Sequence, residues 1–167
     1  MIHGDIKPQN VLVFKDAIGK TTVKVTDFGY STHATGKEGT IILPRSRPWN
    51  APEHHFGEFT APDAKMTDVY SFGMLCLWVL FGNSLSDMPQ TATTETAKLI
   101  SFDESLECLK HKDEVQHIAS QFVELMPELN TEDKNRLKEF FTLTVPFNPE
   151  KRTSDLAKLI SLLCQER

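Results

Sequence analysis

The chain has 167 residues, 18 basic and 23 acidic side chains, a net charge of −5 and 40% hydrophobic residues. That length allows roughly one domain, and the apolar content is above that of a disordered chain. The mild negative charge gives no general attraction to nucleic acid or to an anionic membrane, so neither is expected as a partner.

Its three cysteines, Cys76, Cys108 and Cys164, are too few and too far apart for a zinc ribbon or a disulfide framework. Reduced thiols are typical of the cytosol or the nucleus, which predicts an intracellular location. The longest apolar run, residues 69–82, is shorter than the roughly 20 residues that a bilayer requires. The segment after Met1 is polar and charged, so no signal peptide is expected.

The first thirty residues predict a short β-hairpin. Residues 11–14 are an apolar run suited to a buried strand, and residues 21–26 alternate between apolar and polar side chains. A polar turn with Gly19 joins the two, as in a hairpin. Residues 30–62 are rich in Pro, Gly, Ser and Thr, which predicts a long irregular segment, and such a loop inside a compact domain is usually functional or disordered.

Helices are predicted from residue 63 onward. Residues 68–81 are apolar on most sides, which indicates a helix that is buried all round. Amphipathic spacing predicts further helices near residues 115–126, 131–141 and 153–163, with N-caps at Thr131 and at Thr153 or Ser154. A polar loop is expected over residues 84–95, and the charged run 103–112 predicts a solvated helix face. A small β-hairpin followed by a helical bundle is an α+β fold, mainly α.

Polar side chains suited to phosphoryl transfer lie around the hairpin. Asp5, Lys7 and Asn10 belong to one short loop before the first strand, and Asp27 follows the second. The hairpin should bring Asn10 and Asp27 side by side, because both lie at the same end. A carboxylate and an amide oxygen suit Mg²⁺, which keeps water and phosphate oxygens in its other positions. Asp5 could accept a proton and Lys7 could neutralise phosphate charge, as phosphoryl transfer requires.

The motifs that contain these residues resemble those of the protein kinase family. Residues 3–10 (HGDIKPQN), 27–29 (DFG) and 51–53 (APE) follow the order of the family's catalytic loop H-R-D-L-x-x-x-N, D-F-G and A-P-E. Residues 68–73 and 148–153 resemble two later family motifs, so the resemblance covers essentially the whole chain.

The resemblance implies the C-terminal lobe of a protein kinase over residues 1–167, with the N-terminal lobe absent. Its parts would be the catalytic loop and metal-binding hairpin (1–29), the activation segment (30–53) and a helical subdomain (54–167).

Lys7, two residues after Asp5, follows the Ser/Thr-kinase pattern, so the implied substrate is a Ser or Thr hydroxyl of a protein. By resemblance, Asp5 and Lys7 are catalytic, Lys7, Asn10 and Asp27 bind ATP, and Asn10 and Asp27 hold Mg²⁺. Ser46 stands where the family has its substrate-loop threonine and could hydrogen-bond Asp5 or Lys7.

Three further contacts are implied by the resemblance. Asp68 would anchor the backbone of the catalytic loop, and Arg152 would form a largely buried ion pair with Glu53. Trp49 would pack near the substrate-binding shelf.

Two departures from the family pattern bear on activity. Gly4 replaces the arginine of H-R-D, so phosphorylation of the activation segment should have less effect; its candidate sites are Ser31, Thr32, Thr35 and Thr40. The sequence contains no G-x-G-x-x-G loop, and no lysine or helix precedes the catalytic loop. Weak or absent activity is therefore expected of this chain. In the family, the missing helix covers the apolar face of the helix over residues 68–81, so several of its residues should be exposed here: Met74, Leu75, Leu77, Trp78 and Val79. Such an exposed apolar face predicts an oligomer or a partner.

Two other interpretations stay open. The chain could be a non-catalytic, pseudokinase-like module that binds proteins through its helices, or a fragment whose true start lies upstream. The nucleotide sequence before the Met1 codon discriminates between them, because an in-frame Gly-rich loop and lysine would favour an enzyme.

Overall fold

The computed structural model describes residues 1–31, 40–86 and 102–164. Within these ranges a two-stranded antiparallel sheet is followed by a helical bundle, which confirms the α+β, mainly α fold. The elements are, in chain order, β1 (Val11–Lys15), β2 (Thr21–Val25), α1 (Ala61–Ser86), α2 (Phe102–His111), α3 (Val115–Glu124), α4 (Thr131–Thr144) and α5 (Leu156–Leu163).

The hairpin forms where the sequence predicts it, with Val11 paired to Val25 and Lys15 to Thr21. The Asp16 carboxylate closes the turn by accepting hydrogen bonds from the backbone N–H groups of Ile18 and Lys20, at 3.0 and 2.8 Å. The prediction of a buried strand is wrong, since the apolar side chains of β1 and β2 are largely exposed. Two strands form only one layer, and burial requires a second layer against it.

Helix α1 is the central element of the core. Tyr70, Met74 and Leu77 on this helix are almost completely buried. Gly73 permits a close approach to the end of α4, because a Cβ atom there would lie 2.6 Å from Oγ1 of Thr144. The prediction that residues 68–81 are buried all round holds for residues 68–77, which are buried or partly buried. It is wrong for the three apolar side chains that follow, since Trp78, Val79 and Leu80 are exposed.

Helix α1 is also longer than its apolar run. Its residues 61–83 have the length and composition of a membrane-spanning helix, and half of that stretch is buried inside the protein. The expectation that the segment is too short is therefore wrong for the whole helix. Core helices of soluble proteins have the same properties, so this is weak evidence for a membrane. The predicted loop 84–95 begins inside the helix up to Ser86, and its remainder lies outside the described residues.

The later helices agree with the predicted segments except at their caps. Asn130, not Thr131, caps α4 and accepts a hydrogen bond from the Asp133 N–H at 2.9 Å. Asp155 caps α5 in the same way, in place of Thr153 or Ser154. In both cases the short Asn or Asp side chain one position away reaches the free N–H group of the first turn.

A second, smaller apolar cluster supports the loop region. It joins Ile2 and Leu43 to Phe59 and to Ala64 in the first turn of α1. Ile41 and Phe59 form a short backbone bridge beside it, with hydrogen bonds of 2.8 and 3.0 Å. This cluster holds the N-terminal loop and residues 41–43 against the same end of α1, which is where the polar residues of the candidate site meet.

Candidate active site

The loop that carries Asp5 is fixed to α1 by Asp68. The two carboxylate oxygens of Asp68 accept hydrogen bonds from the backbone N–H groups of His3 and Gly4, at 2.6 and 2.8 Å. Asp68 lies on the first half of α1, so a helix that belongs to the hydrophobic core sets the position of the loop. The prediction that Asp68 anchors this backbone is confirmed.

Gly4 occupies a position that has no room for a side chain. Its φ is +84°, in the left-handed region, and a Cβ atom would lie 2.8 Å from Cδ2 of Leu43 and 3.2 Å from the carbonyl oxygen of Tyr30. Leu43 and Tyr30 thus close over the site where the kinase pattern has arginine, and the backbone there suits glycine.

His3 connects the loop to the end of β2. Its Nε2 lies 3.0 Å from the carbonyl oxygen of Thr26, and its Nδ1 accepts a hydrogen bond from the Asp5 N–H at 3.2 Å. The ring of Phe28 packs edge-on against it, with centroids 5.1 Å apart. Since both ring nitrogens are engaged with backbone groups, His3 acts as a structural support for Asp5.

The carboxylate of Asp5 is the centre of the site. Asp5 is buried, and its Oδ2 lies 2.7 Å from Nζ of Lys7. Asn10 donates from Nδ2 to the carbonyl oxygen of Asp5 at 2.8 Å and to Oδ2 at 3.2 Å. Burial alone raises the pKa of Asp5, but hydrogen bonds from Lys7, Ser46 and Asn10 and the charge of Lys7 outweigh it, so this pKa lies below its usual value.

Ser46 completes this cluster from the opposite side. Its hydroxyl accepts a hydrogen bond from Nζ of Lys7 at 2.9 Å, although the two residues are 39 positions apart in sequence. The predicted contact of Ser46 with Lys7 is confirmed. Lys7 therefore bridges the catalytic loop and the segment that begins the APE region.

Asn10 and Asp27 lie at the same end of the hairpin, as predicted. The N–H of Thr26 donates to the carbonyl oxygen of Asn10 at 2.9 Å, and Asp27 is the next residue. Asp27 is exposed and has a φ of 61°, and one of its carboxylate oxygens accepts from the Gly29 N–H at 3.4 Å. The Asn10 amide nitrogen is used by Asp5, which leaves the amide oxygen for a cation.

Glu53, the last residue of the APE motif, forms a buried ion pair. The Arg152 guanidinium binds both carboxylate oxygens of Glu53, at 2.5 and 2.9 Å, and its side chain is completely buried. This confirms the predicted contact between two residues that are 99 positions apart. Trp49 is also buried and packs edge-on against Trp78, with centroids 6.1 Å apart.

The candidate phosphorylation sites are only partly described. The hydroxyl of Ser31 donates to the carbonyl oxygen of His3 at 3.2 Å, so Ser31 is engaged with the catalytic loop. Thr40 is exposed. Thr32 and Thr35 lie outside the described residues.

Sequence reasoning missed one residue of this region, Lys110. The charged run 103–112 predicts a solvated face, and that prediction is wrong at this position, because Lys110 is 1% exposed. Its Nζ donates to the carbonyl oxygens of Pro48 and Asn50, at 3.1 and 3.0 Å. No local pattern distinguishes Lys110 from its solvated neighbours, since its partners are about sixty residues away.

Comparison with known proteins agrees with this geometry. The protein kinase domain profile matches residues 1–165. The Saccharomyces cerevisiae "Serine/threonine-protein kinase CHK1" is 31% identical over 108 residues, which is 62% of this chain and 20% of that protein. The Dictyostelium discoideum "Probable serine/threonine-protein kinase gdt8" is 26% identical over 159 residues, which is 81% of this chain and 12% of that protein.

A third relative, the "Dual specificity protein kinase shkD" of Dictyostelium discoideum, is 39% identical over 79 residues, which is 47% of this chain and 10% of that protein. The chain thus spans a fifth or less of the length of these three relatives. No solved structure matches it at a significant level. Since the family profile covers nearly every residue and the motifs stand in its geometry, the chain belongs to the protein kinase domain family.

Proposed function

We propose that this chain forms the phosphoacceptor and metal-binding part of a Ser/Thr protein kinase, which transfers the γ-phosphoryl group of ATP to a hydroxyl of a protein substrate. The observation that carries the proposal is the cluster of Asp5, Lys7, Ser46 and Asn10, in which a buried carboxylate is held by three donors. The names of the similar proteins support a Ser/Thr substrate.

Asp5 is the group that would bind the Ser or Thr hydroxyl of the protein substrate. Because its pKa is lowered, it is ionised at neutral pH and can accept a hydrogen bond and then the proton from a Ser or Thr side chain. Lys7, at 2.7 Å, keeps a positive charge beside it that can also contact a phosphate oxygen. Most of the catalytic effect in phosphoryl transfer comes from such positioning and charge stabilisation.

Asn10 and Asp27 fit Mg²⁺-ATP by the chemistry of their donors. A carboxylate and an amide oxygen are hard ligands, and Mg²⁺ usually takes one or two such protein groups together with phosphate oxygens and water. The exposed position of Asp27 leaves space for a nucleotide phosphate on its open side. When bound, the metal would neutralise the phosphate charge that develops during transfer.

Replacing Asp5 by asparagine tests the catalytic assignment. We expect Asp5→Asn to lower phosphoryl transfer to a Ser/Thr peptide mixture at saturating Mg²⁺-ATP by at least about a hundredfold, because the amide cannot take the proton. Asp103→Asn on the exposed start of α2 is the control and should leave the rate unchanged. The wild-type rate itself is expected to be low, because the sequence contains no G-x-G-x-x-G loop. Equal rates for Asp5→Asn and wild type would contradict the proposal.

The isolated chain should bind Mg²⁺-ATP weakly. Its 167 residues contain no G-x-G-x-x-G loop to cover the phosphates, so Asn10 and Asp27 would hold the nucleotide from one side only. Isothermal titration of Mg²⁺-ATP measures this affinity, and Asp27→Asn should weaken it further. A dissociation constant in the low micromolar range for the chain alone would show that a complete site is present.

A non-catalytic interaction module is the second candidate function, and the exposed apolar surface favours it. Three successive apolar side chains on α1, here called the α1 patch, are exposed: Trp78, Val79 and Leu80, with exposed fractions of 39, 66 and 39%. A separate groove of about 450 Å³ lies between α1 and α5, with Met1, Val69, Phe72 and Ile160 in its wall. Large exposed apolar surfaces are uncommon on monomers and mark sites of association. The expected exposure of Met74 and Leu77 is wrong, because both are buried.

Association through the α1 patch is therefore expected. Val79→Asp should shift the chain toward monomer in light scattering at high concentration, because a charge in an apolar contact is costly to bury. Ile18→Asp is the matched control, since Ile18 is 87% exposed at the hairpin tip, away from α1. A wild-type chain that stays monodisperse and monomeric would contradict this expectation.

An intracellular location, in the cytosol or nucleus, completes the proposal. All three cysteines are free, and Cys108 and Cys164 are exposed, which suits a reducing compartment.

A further inference from the structure

Lys110 is a buried cation in the last turn of α2. Lysine is almost never fully buried unless its charge is paired, because removal of an ammonium group from water costs far more than its apolar stem gains. The side chain of Lys110 is 1% exposed, and it lies among the residues that follow Ser46 rather than among apolar core residues alone.

Three oxygens surround the ammonium group. Two are the carbonyl oxygens of Pro48 and Asn50, at 3.1 and 3.0 Å, and the third is Oε2 of Glu107 at 2.6 Å. Two of the three N–H donors of the ammonium group bind these carbonyl oxygens, and the Glu107 carboxylate forms an ion pair with it. Burial lowers the pKa of Lys110, and the hydrogen bond and charge of Glu107 oppose this shift.

The backbone that Lys110 binds is the backbone that positions Ser46. The N–H of Asn50 donates to the carbonyl oxygen of Ser46 at 3.0 Å, which closes a turn over residues 46–50. The same Asn50 accepts from Lys110 through its own carbonyl oxygen. A continuous set of hydrogen bonds therefore runs from α2 through this turn to Ser46, whose hydroxyl meets Lys7.

Glu107 links the same turn to α2 a second time. Its Oε1 lies 3.7 Å from Nε of Arg47 and 3.4 Å from Nε2 of His111. Arg47 is mostly exposed, so this contact is weak in comparison with that of Lys110. Glu107 is thus placed mainly as the counter-ion of the buried ammonium group.

We infer that Lys110 is a positioning residue that holds Ser46, through the backbone of residues 48–50, against the catalytic loop. The inference rests on the proposed function in that Asp5 and Lys7 are taken as the catalytic pair of that loop. Lys110 does not touch the reacting atoms. It fixes the position of the backbone that lines the phosphoacceptor site, and it connects α2 to that backbone.

Lys110→Met in the full 167-residue chain tests this inference, because methionine keeps the length of the stem and removes all three donors. The control is Lys158→Met on α5, where the side chain is 45% exposed and pairs with the exposed Glu139. The first readout is hydrogen exchange of the Asn50 amide, measured relative to the buried Ala119 amide of α3. We expect Lys110→Met to accelerate Asn50 at least about tenfold relative to Ala119, and Lys158→Met to leave the ratio unchanged.

The second readout is the effect of Ser46→Ala on stability in each background. In wild type and in Lys158→Met, loss of the hydrogen bond to Lys7 should raise the unfolded-to-folded ratio about fivefold. In Lys110→Met this effect should disappear, because Ser46 no longer reaches Lys7. A purely structural lysine would destabilise the fold without changing the effect of Ser46→Ala.

The inference is overturned if Asn50 and Ala119 accelerate together and Ser46→Ala has the same effect in all three backgrounds. If Lys110→Met fails to fold, Glu107→Gln replaces it, since this variant keeps the ammonium group and removes only its counter-charge. The same two readouts should then change in the same direction, and no change in either would overturn the inference. Neither readout requires phosphoryl transfer, so equal transfer rates for Asp5→Asn and wild type would contradict the proposed function and leave this inference standing.

Discussion

Replacing Arg152 by alanine is expected to destabilise the fold by roughly 3–5 kcal/mol, the cost of removing one partner of a buried pair. The guanidinium binds both oxygens of Glu53 and also donates to the carbonyl oxygens of Met66, Pro146 and Phe147, at 3.1, 2.9 and 3.0 Å. Its loss would leave a carboxylate and three carbonyl groups without their donor. A loss of this size is a large part of a typical stability of about 5–15 kcal/mol.

Urea denaturation of four variants measures what the Glu53–Arg152 pair contributes to the free energy of unfolding. Glu53→Ala should also be strongly destabilising, and the double variant should cost less than the sum, since it leaves neither charge unpaired. Arg152→Lys should not restore stability, because lysine cannot form the two parallel hydrogen bonds of arginine. The control is the exposed pair Lys158–Glu139, where Lys158→Ala should cost about 1 kcal/mol or less.

If both single variants unfold at the same urea concentration as wild type, the contact contributes nothing to stability despite its burial. The position of the pair makes that result informative. Glu53 ends the activation segment and Arg152 precedes α5, so the contact joins the loop that carries Ser46 and Trp49 to the far end of the chain. The Arg152 guanidinium also lies 4.7 Å from the ring centroid of Tyr70 on α1, which adds a cation–π contact.

The sequence predicts the contacts that lie within recognisable motifs. Asp68, Glu53 and Arg152 each bind the predicted partner, because the family motif specifies both the residue and the group that it meets. The same holds for the proximity of Ser46 to Lys7. These are interactions of charged or polar side chains with one defined partner, so a few residues carry the whole signal.

Sequence reasoning fails to predict which side chains are buried, because burial depends on contacts between elements that are distant in the chain. The run 11–14 is apolar enough for a buried strand, yet no second layer covers the hairpin within the described part of the chain, and Val13 is 64% exposed. Lys110 shows the reverse error, since only the carbonyl groups of residues 48 and 50 make its burial possible. The roles of Asn10 and Asp27 as metal ligands stay predictions, because their positions at the same end of the hairpin do not test whether a metal ion binds there.

Asp68→Asn is expected to detach the catalytic loop from α1. The carboxylate accepts from two backbone N–H groups, of His3 and Gly4, with one oxygen for each. Asparagine has one acceptor oxygen, and its NH₂ group would face the second N–H group donor to donor. Hydrogen bonds to a charged acceptor contribute about 1.5–3 kcal/mol each, so we expect a loss of about 3 kcal/mol in the free energy of unfolding.

The variant should loosen the loop around Gly4 more than it destabilises the whole fold, because the conformation of Gly4 depends on this contact. With a φ of +84° and Leu43 and Tyr30 packed against it, Gly4 has a backbone conformation that the surrounding residues must maintain. Amide exchange of His3 and Gly4 should therefore accelerate more than that of the α1 core. The matched control is Asp63→Asn in the first turn of the same helix, where the exposed carboxylate accepts from the Thr60 hydroxyl at 2.6 Å.

Asp63→Asn should change the helix-terminus charge only, at a cost of about 1 kcal/mol or less, and leave His3 and Gly4 protected. If Asp68→Asn and Asp63→Asn have the same effect on those two amides, Asp68 does not fix the loop. If the Asp68 variant alone exposes them, the position of Asp5 follows from α1, since the N–H of Asp5 in turn donates to the ring of His3. Helix α1 would then determine the position of the Asp5 carboxylate through two hydrogen bonds and one histidine.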